Sequence, residues 1–567
     1  MDFKQEIIKL LEKETKQKDL NLEVPPNSEL GDYAFPCFQL AKVYKKNPVQ
    51  IAEELAKKIS SDKVIERIEV KGPYLNFFVN KNSLSHDILK AIIKNKDYGS
   101  SNIGKGKKIL VEHTSINPNA SPHVGRARNA LIGDSIVRLL NFQRYKVETH
   151  YFVNDVGKQI AMLVLGAKGK KNIKFKDLLK IYIDINKKVE EKPELEKEVF
   201  ELLNKLENSD AKVKKQFKDV VDICIKGQTA IFNDLNIKYD KFDYESDYLW
   251  SKKTEEILKR LEKTKKLFTD EEGRKVLNQE EFKLAMKSPV LVLTRADGTS
   301  LYPLRDLAYH TEVKKESSIL ILGEDQKLYY QQIKAALELL KHPSPEPVFY
   351  SFVLLQEGKM STRKGNLVLL EDFMKEALDK AKKEIKKRHG AVKEERKIKD
   401  FPTSKSNDFE ENAKKIAYGS IKYAILKVSA EKNVNFDWDQ ALNFEGDTGP
   451  YLQYAYARIS SILKKNKEKI DEKADFSLLK EKQEIDLIKI LGNFPDIVKT
   501  VTEQLKPHII ANYLYELSSS FSLFYSSCPV LKADEELKKA RLVLIECVKQ
   551  VLETGLSLLG IEVLDKM

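Results

Sequence analysis

Residues 108–112 form a short apolar run that ends in a polar loop, and a helix-periodic stretch then runs from 125 to 142. Ala130, Ile132, Ile136, Leu139 and Leu140 share one side of that stretch. A second strand pattern covers 147–153 and a second helix pattern 157–165. Strand–helix–strand order at this spacing dictates a doubly wound, Rossmann-like parallel sheet. It also dictates where a ligand would bind, because such sheets hold ligands in the crevice outside the carboxyl ends of their strands.

The rest of the chain divides around this unit. Residues 1–100 read as a separate N-terminal α/β domain. Helix patterns at 3–16 and 52–59 flank residues 30–43, and strand patterns at 64–70 and 74–79 are joined by a Gly72-Pro73 turn. The polar stretch 95–107, with Gly99, Gly104 and Gly106, reads as a linker. A catalytic-type α/β domain is expected over 105–370, with a Lys/Glu-rich helical insertion at about 166–287. The α/β rhythm resumes at 289–294, followed by a helix near 306–313, a strand at 319–323, a helix at 329–340 and a strand at 348–355. Residues 371–449 read as a helical connection, in which the highly charged run 388–407 looks mobile, and 450–567 suit a helical bundle. The fold class is therefore multidomain, α/β plus all-α.

Length supports several domains: there are 567 residues, 42% of them hydrophobic. No apolar run reaches the roughly 18–20 residues that span a bilayer. The charged, helix-periodic start lacks the apolar core of a signal peptide. A soluble cytoplasmic protein with no membrane partner is expected. Cys37, Cys224, Cys528 and Cys547 include no C-x-x-C pair, so neither zinc nor a disulfide framework is suggested, and no metal ligands are assigned. A net charge of +13 fits a polyanionic partner, although much of the Lys/Glu content is ordinary solvated surface.

Two motifs carry chemistry. N-P-N-A-S-P-H-V-G-R, from Asn117 to Arg126, lies between the first strand and the long helix. Gly125 lets a nucleotide approach the backbone, the helix N-terminus favours phosphate, and His123 can donate to phosphate oxygens. K-M-S-T-R-K-G-N follows a strand more than two hundred residues later, with Lys359, Met360, Ser361, Arg363 and Lys364. Three cations, a hydroxyl and a glycine suit a triphosphate.

The order and separation of these motifs resemble class I aminoacyl-tRNA synthetases, which carry HIGH-type and KMSKS-type motifs in this sequence. The surrounding residues resemble the arginyl-tRNA synthetase family. These are His113, Ser115 and Asn117 in H-T-S-I-N-P; Asn154, Asp155, Gly157 and Gln159 in N-D-V-G-K-Q; and Asp297-Gly-Thr299 before Tyr302, Arg305, Asp306 and Ala308. They continue with Gly323-Glu-Asp325-Gln326, then G-P-Y-L-Q-Y-A-Y-A-R from Gly449 to Arg458, and Glu29-Leu-Gly-Asp32-Tyr33 near the N-terminus. The resemblance covers the whole chain.

It implies ligation of L-arginine to tRNA with ATP as substrate and Mg²⁺ accompanying it, in a monomer. By resemblance, His123, Arg126, Lys359 and Lys364 are catalytic, with Gly125, Met360 and Ser361 also on ATP. Ser115, Asn117, Arg126, Asn154, Tyr302, Asp306 and Gln326 would hold arginine. A guanidinium needs a carboxylate in a partly dehydrated pocket, and Tyr302 lies one helical turn before Asp306. Tyr74 and Asn76 match the positions that read the tRNA elbow, while Tyr451 and Arg458 open the anticodon-binding domain. Two residues depart from the family pattern. Arg126 stands where the family usually has a second histidine, and Thr362 stands where many class I enzymes have a second lysine, leaving Lys364 to reach the phosphates. Two rivals are a class I synthetase for another amino acid, such as lysine, and an RNA-binding relative that has lost activation.

Overall fold

The computed structural model describes residues 3–25, 27–312, 317–355, 368–396, 407–466 and 469–567. Near the N-terminus, β1 (Tyr33–Pro36), β2 (Ile65–Lys71) and β3 (Tyr74–Val79) form an antiparallel sheet in the order β1-β3-β2. Gly72, at φ +58, supplies the left-handed residue that turns β2 into β3. Helix Pro48–Lys58 packs across β2 and β3 and starts where the Asn47 side chain accepts from Val49 N at 2.9 Å.

Helix Lys81–Lys94 lies against the C-terminal helices. Cys547 Sγ donates to Leu89 O at 3.7 Å, and Gln550 Nε2 donates to Ile92 O at 3.0 Å and Asn95 O at 2.7 Å. Residues 95–107, expected to be a linker, are packed rather than free. Tyr98 stacks on Phe494, with its hydroxyl on Leu491 O at 3.2 Å, and Gln143 Nε2 donates to Gly99 O at 3.0 Å. Gly99 has φ +93, and a Cβ there would sit 2.6 Å from the Phe494 ring. This glycine serves close approach, which local composition cannot distinguish from flexibility.

The central sheet contains β4 (Lys108–Glu112), β5 (Lys146–Val153) and β6 (Lys241–Tyr244). Then come β7 (Leu267–Thr269), β8 (Lys275–Asn278) and β9 (Val290–Val292), a separate antiparallel sheet. The central sheet is completed by β10 (Ser317–Gly323) and β11 (Glu346–Tyr350), in the order β11-β10-β4-β5-β6, with every pair parallel. The chain leaves β4 to one side and returns to its other side with β10, so the switch point lies between β4 and β10.

Four sequence expectations need correction here. The stretch expected to be wholly insertion holds three long helices, Phe175–Glu191, Pro193–Glu207 and Ala211–Asp234, but then returns β6 to the sheet. A four-residue edge strand of half-polar pattern carries too little periodicity to stand out. The run at 289–294, read as the sheet resuming, belongs to β9 of the small sheet. The strand expected at 348–355 divides into β11 and β12 (Val353–Leu355). β12 pairs in parallel with β13 (Val434–Phe436), inside a stretch expected to be helical.

Helices Asn407–Leu426, Gly449–Lys465, Lys482–Gln504, His508–Ser527 and Glu535–Leu558 pack together at the C-terminal end. Thr448 caps the second of these, accepting from Tyr451 N at 3.2 Å, and Pro450 stands in its first turn. Of the run read as mobile, 388–407, residues 388–396 end helix Leu370–Arg396 and 397–406 lie outside the described residues. One apolar core runs continuously from the N-terminal domain through the central sheet into the bundle. A second, smaller core, with Leu261, Leu277, Leu291, Leu304, Leu307 and Leu337, lies between the small sheet and helices Lys253–Glu262, Tyr302–Glu312 and Lys327–Leu339. The four cysteines are free and buried, and among the described residues no helix is long and apolar enough to cross a membrane.

Candidate active site

The loop leaving β4 is held in an uncommon backbone conformation. Thr114 and Ser115 have φ of +73 and +40, which is costly for residues bearing a Cβ and more so for a β-branched one. Asn129, on helix Val124–Phe142, pins the loop: its Oδ1 accepts from Thr114 N at 2.5 Å while its Nδ2 donates to Ile321 O of β10 at 2.8 Å. Thr114 Oγ1 also pairs with Tyr239 Oη at 2.8 Å, and Tyr151 Oη accepts from Ile116 N at 3.2 Å. One side chain thus braces both strands that flank the switch point. Ser115 Oγ donates to Glu112 Oε1 at 3.3 Å. Asn117 is exposed, and its Nδ2 donates to Gln159 Oε1 at 3.1 Å, an acceptor it shares with Asn119.

Carboxyl groups gather outside the ends of β4, β5 and β6. Glu112 ends β4, Asp155 follows β5 and Glu245 follows β6. Asp306 faces them from helix Tyr302–Glu312. It raises the pKa of both Glu112 and Glu245, which places the three acids within one electrostatic neighbourhood. Burial pushes Asp306 up to about 6 and Glu112 up to about 7. Asp306 receives a hydrogen bond from the Tyr329 hydroxyl, and Arg305 beside it is committed elsewhere: its Nε donates to Glu245 Oε1 at 2.6 Å. Asp155 accepts from Ser246 N at 2.9 Å and Ser246 Oγ at 2.6 Å. The Asn154 amide, oriented to satisfy its neighbours, donates to Glu245 Oε2 at 2.6 Å and Val156 O at 2.9 Å. Glu112 and Glu245 are buried, Asp155 and Asp306 are half-buried, and Arg305 is a buried cation beside them.

Tyr302 stands at the mouth, 53% exposed, with its ring 5.2 Å from that of Tyr329. Gln326 caps helix Lys327–Leu339, one turn before Tyr329. The structure thus links Ser115 to Glu112, Asn154 to Glu245, and both Tyr302 and Asp306 to Tyr329, with Asp306 acting electrostatically on Glu112 and Glu245. Asn117 is turned toward Gln159. Sequence reasoning missed Glu112, Glu245 and Tyr329. An acid that closes an otherwise apolar strand run was the available signal for Glu112, whereas the bond from Tyr329 to Asp306 is purely tertiary.

The first motif, which carries His123, ends at the same switch point. His123 is the N-cap of helix Val124–Phe142 and is half-buried, with an unpartnered Nδ1. Burial, reinforced by the neighbouring Arg126 cation, pushes its pKa down to about 4, so the imidazole is neutral near pH 7. Gly125 and Arg126 occupy the first turn, and Arg126 has no carboxylate partner among the described residues. Lys359, Met360, Ser361 and Lys364 lie outside the described residues. The chain that follows them is anchored at the helix start: Val124 N donates to Val368 O at 3.1 Å and Leu370 N to Pro122 O at 2.8 Å.

Of the residues assigned to RNA, Tyr74 is half-buried and meets exposed Phe38 edge-on at 6.0 Å, whereas Asn76 is only 4% exposed. The Tyr451 hydroxyl pairs with Ser522 Oγ at 3.0 Å, within the bundle. Arg458 lies over the rings of Tyr454 (4.5 Å) and exposed Tyr525 (5.0 Å).

Comparison with known proteins gives one family. The model described as tRNA synthetases class I (R), catalytic domain, matches residues 87–438. The arginyl tRNA synthetase N terminal domain matches 1–79, and the DALR anticodon binding domain matches 452–567. The arginine–tRNA ligase of Methanocaldococcus jannaschii is 40% identical, with 100% of both chains covered. That of Pyrococcus furiosus is 37% identical over 97% of this chain and 96% of the relative. The solved arginyl-tRNA synthetase of Thermus thermophilus superposes with a TM-score of 0.82 at 28% identity, covering 100% of each chain. The Plasmodium falciparum enzyme, at 22% identity, shares the fold, with a TM-score of 0.80 over 100% of this chain and 99% of that one.

Proposed function

The chain belongs to the class I arginyl-tRNA synthetases, and on that premise we propose that the acidic cavity beside β4 binds the arginine side chain and that the helix start at His123 binds ATP. The enzyme is an arginine–tRNA ligase, which uses ATP, arginine and tRNA. The observation that carries the arginine assignment is Asp306, a half-buried carboxyl whose only hydrogen-bond partner among the described residues is a tyrosine hydroxyl, while the adjacent Arg305, whose charge holds its pKa down, is bonded to Glu245. A desolvated carboxylate whose nearest cation is bonded to another acid gains from a second cation. A planar guanidinium offers two parallel donors to it, and Tyr302 and Tyr329 supply ring faces beside it. Gln326 adds an acceptor at the rim.

With the guanidinium held there, the α-carboxylate reaches toward Ser115, Asn117 and Asn154 at the strand ends. Arg126 offers that carboxylate or a phosphate its cation. The carboxylate oxygen attacks the α-phosphorus of ATP in line, the bond to the bridging oxygen breaks and pyrophosphate leaves. Neutral His123 donates through a single N–H, and the helix N-terminus adds its dipole to the developing charge. Lys359, Met360, Ser361 and Lys364 act on the same phosphates. Mg²⁺, when bound, neutralises phosphate charge. Among the described residues no carboxylate–histidine group is arranged to cage a metal, so phosphate oxygens and water would be its main ligands. A ribose hydroxyl of the terminal adenosine of tRNA then attacks the arginyl carbonyl and AMP leaves. Tyr74 and Asn76 read the tRNA elbow, while Tyr451 and Arg458 serve the anticodon side. A cytoplasmic monomer completes the proposal, and the four parts are those set out at the sequence level: 1–100, 105–370, 371–449 and 450–567.

ATP–pyrophosphate exchange tests it, with arginine or lysine as the amino acid and with or without arginine-accepting tRNA. Exchange that needs arginine and ignores lysine supports the pocket assignment; the family resemblance further implies a requirement for tRNA. Equal exchange with lysine would remove Asp306 as the specificity group. An Ala variant at Lys364 with unchanged exchange would remove that residue from the phosphate set.

A further inference from the structure

Arg128 lies one turn inside helix Val124–Phe142 and is 0% exposed. Such a residue normally sits against a carboxylate. Here the guanidinium is bound by main-chain carbonyls from two distant segments. Nη1 donates to Ser351 O at 2.7 Å, Lys432 O at 2.7 Å and Phe352 O at 3.4 Å, and Nη2 donates to Ser429 O at 2.8 Å. Nε is buried without a partner. Burial pulls the guanidinium down to about 10, with Glu324 and Glu431 near enough to pull it back. Ser351 ties the same junction a second time: its hydroxyl bonds Glu324 Oε2 at 2.6 Å and Glu431 O at 2.8 Å.

The two segments have a shared destination. Ser351 and Phe352 lead into β12, and Ser429 and Lys432 lead into β13, its parallel partner. β12 is the described strand immediately before residue 356. The described chain after residue 367 returns to the same helix through Val368, Leu369 and Leu370. One helix therefore mounts both flanks: its first turn holds the returning chain and Arg128 holds the departing strand. A planar fork of donors fixes the direction as well as the distance of the carbonyls it binds. Moving either segment would leave a buried charge short of acceptors, so the junction resists sliding.

We propose that Arg128 is a positioning residue for adenylate formation, registering β12 and β13 against the helix turn that presents His123 and Gly125. This rests on the assignment of that turn to ATP.

The test is arginine-dependent ATP–pyrophosphate exchange by the full-length enzyme with saturating arginine-accepting tRNA. Arg128→Lys keeps the charge but satisfies only part of the carbonyl set. The expected result is a roughly tenfold or larger loss in kcat/KM for ATP, with KM for arginine within about twofold of wild type. Asn433→Ala removes an exposed side chain whose Oδ1 holds Phe352 N at 3.0 Å. It should move the ATP constants in the same direction by about two- to threefold. ATP constants within twofold of wild type in a folded Arg128→Lys protein would overturn the proposal. So would an arginine KM that rises as far as the ATP KM, since that marks general loosening. If Arg128→Lys does not fold, Asn433→Ala decides, and unchanged ATP constants there overturn the proposal equally. Failure of the underlying ATP assignment looks different: His123→Ala would exchange at the wild-type rate whatever Arg128 does.

Discussion

The two walls of the proposed arginine site are built by different means. The wall at the strand ends is made by hydrogen bonds: Thr114 and Ser115 sit at positive φ because Asn129, Tyr239 and Tyr151 leave them no alternative. The opposite wall, helix Tyr302–Glu312, is made by packing and stands on the second, smaller core. Contacts join the walls, among them the Arg305–Glu245 ion pair and those of the Tyr309 hydroxyl, which reaches Asp243 Oδ2 at 3.3 Å and also bonds Glu112. In the proposed binding mode the pinned backbone meets the α-amino-acid end of the substrate, and the helix on its own core meets the side chain. The contrast teaches that a site can be rigid where bonds change and compliant where only recognition occurs.

The largest expected effect comes from cutting the joint. Arg305→Met leaves Glu245 buried and unpaired and should destabilise the second wall by about 3–5 kcal/mol, read as an early phase in urea unfolding. A single unchanged transition would show that the walls do not behave separately. Next, Asp306→Asn removes the charge that faces the guanidinium. A loss of at least about 2 kcal/mol, roughly thirtyfold or more in kcat/KM for arginine, is expected with little change in KM for ATP. Loosening the rigid wall should cost less: Asn129→Ala frees the Thr114 amide and should lower stability by about 1–2 kcal/mol, with a fall in kcat larger than the rise in arginine KM. Acidity probes the compliant wall alone. Asp306 has its pKa raised to about 6 in the free fold, above the ordinary value of 3.8, so its buried charge destabilises the free enzyme above about pH 6 and is relieved as pH falls through that value. Arginine binds the charged form, so the rise in Tm that it produces should be largest above about pH 7 and shrink by pH 5. A shift independent of pH would place the guanidinium elsewhere. The smallest effect belongs to Tyr302→Ala at the exposed mouth, about 0.5–1 kcal/mol in arginine binding measured by calorimetry.

Sequence patterning located helix Val124–Phe142 to within one residue of its start, because a long amphipathic stretch between two apolar runs admits one reading. It located β4, β5 and β10 for the same reason. It lost β6, whose four residues at a sheet edge carry no clear period, and it took the packed glycines of 95–107 for a tether. The candidate site was proposed from the sequence where residue type and motif coincided, as at His123, Ser115 and Asp306. Glu112, Glu245 and Tyr329 were not, since their meaning arises from burial and from partners distant in sequence, 60 residues away for Arg305 with Glu245 and further for Tyr309 with Glu112. Arg128 was hidden for a sharper reason: a surface arginine and a buried one are the same letter.

The clasp between helix Lys81–Lys94 and helix Glu535–Leu558 bears on the order of events at the ribosome. Cys547 meets the Leu89 carbonyl across 458 residues of chain. At roughly 5–20 residues per second, the apolar face with Ile88, Leu89 and Ile92 waits on the order of half a minute or more before its cover exists. Truncation before residue 535 should therefore turn a transient exposure of that face into a permanent one, read as a rise in binding of an apolar dye.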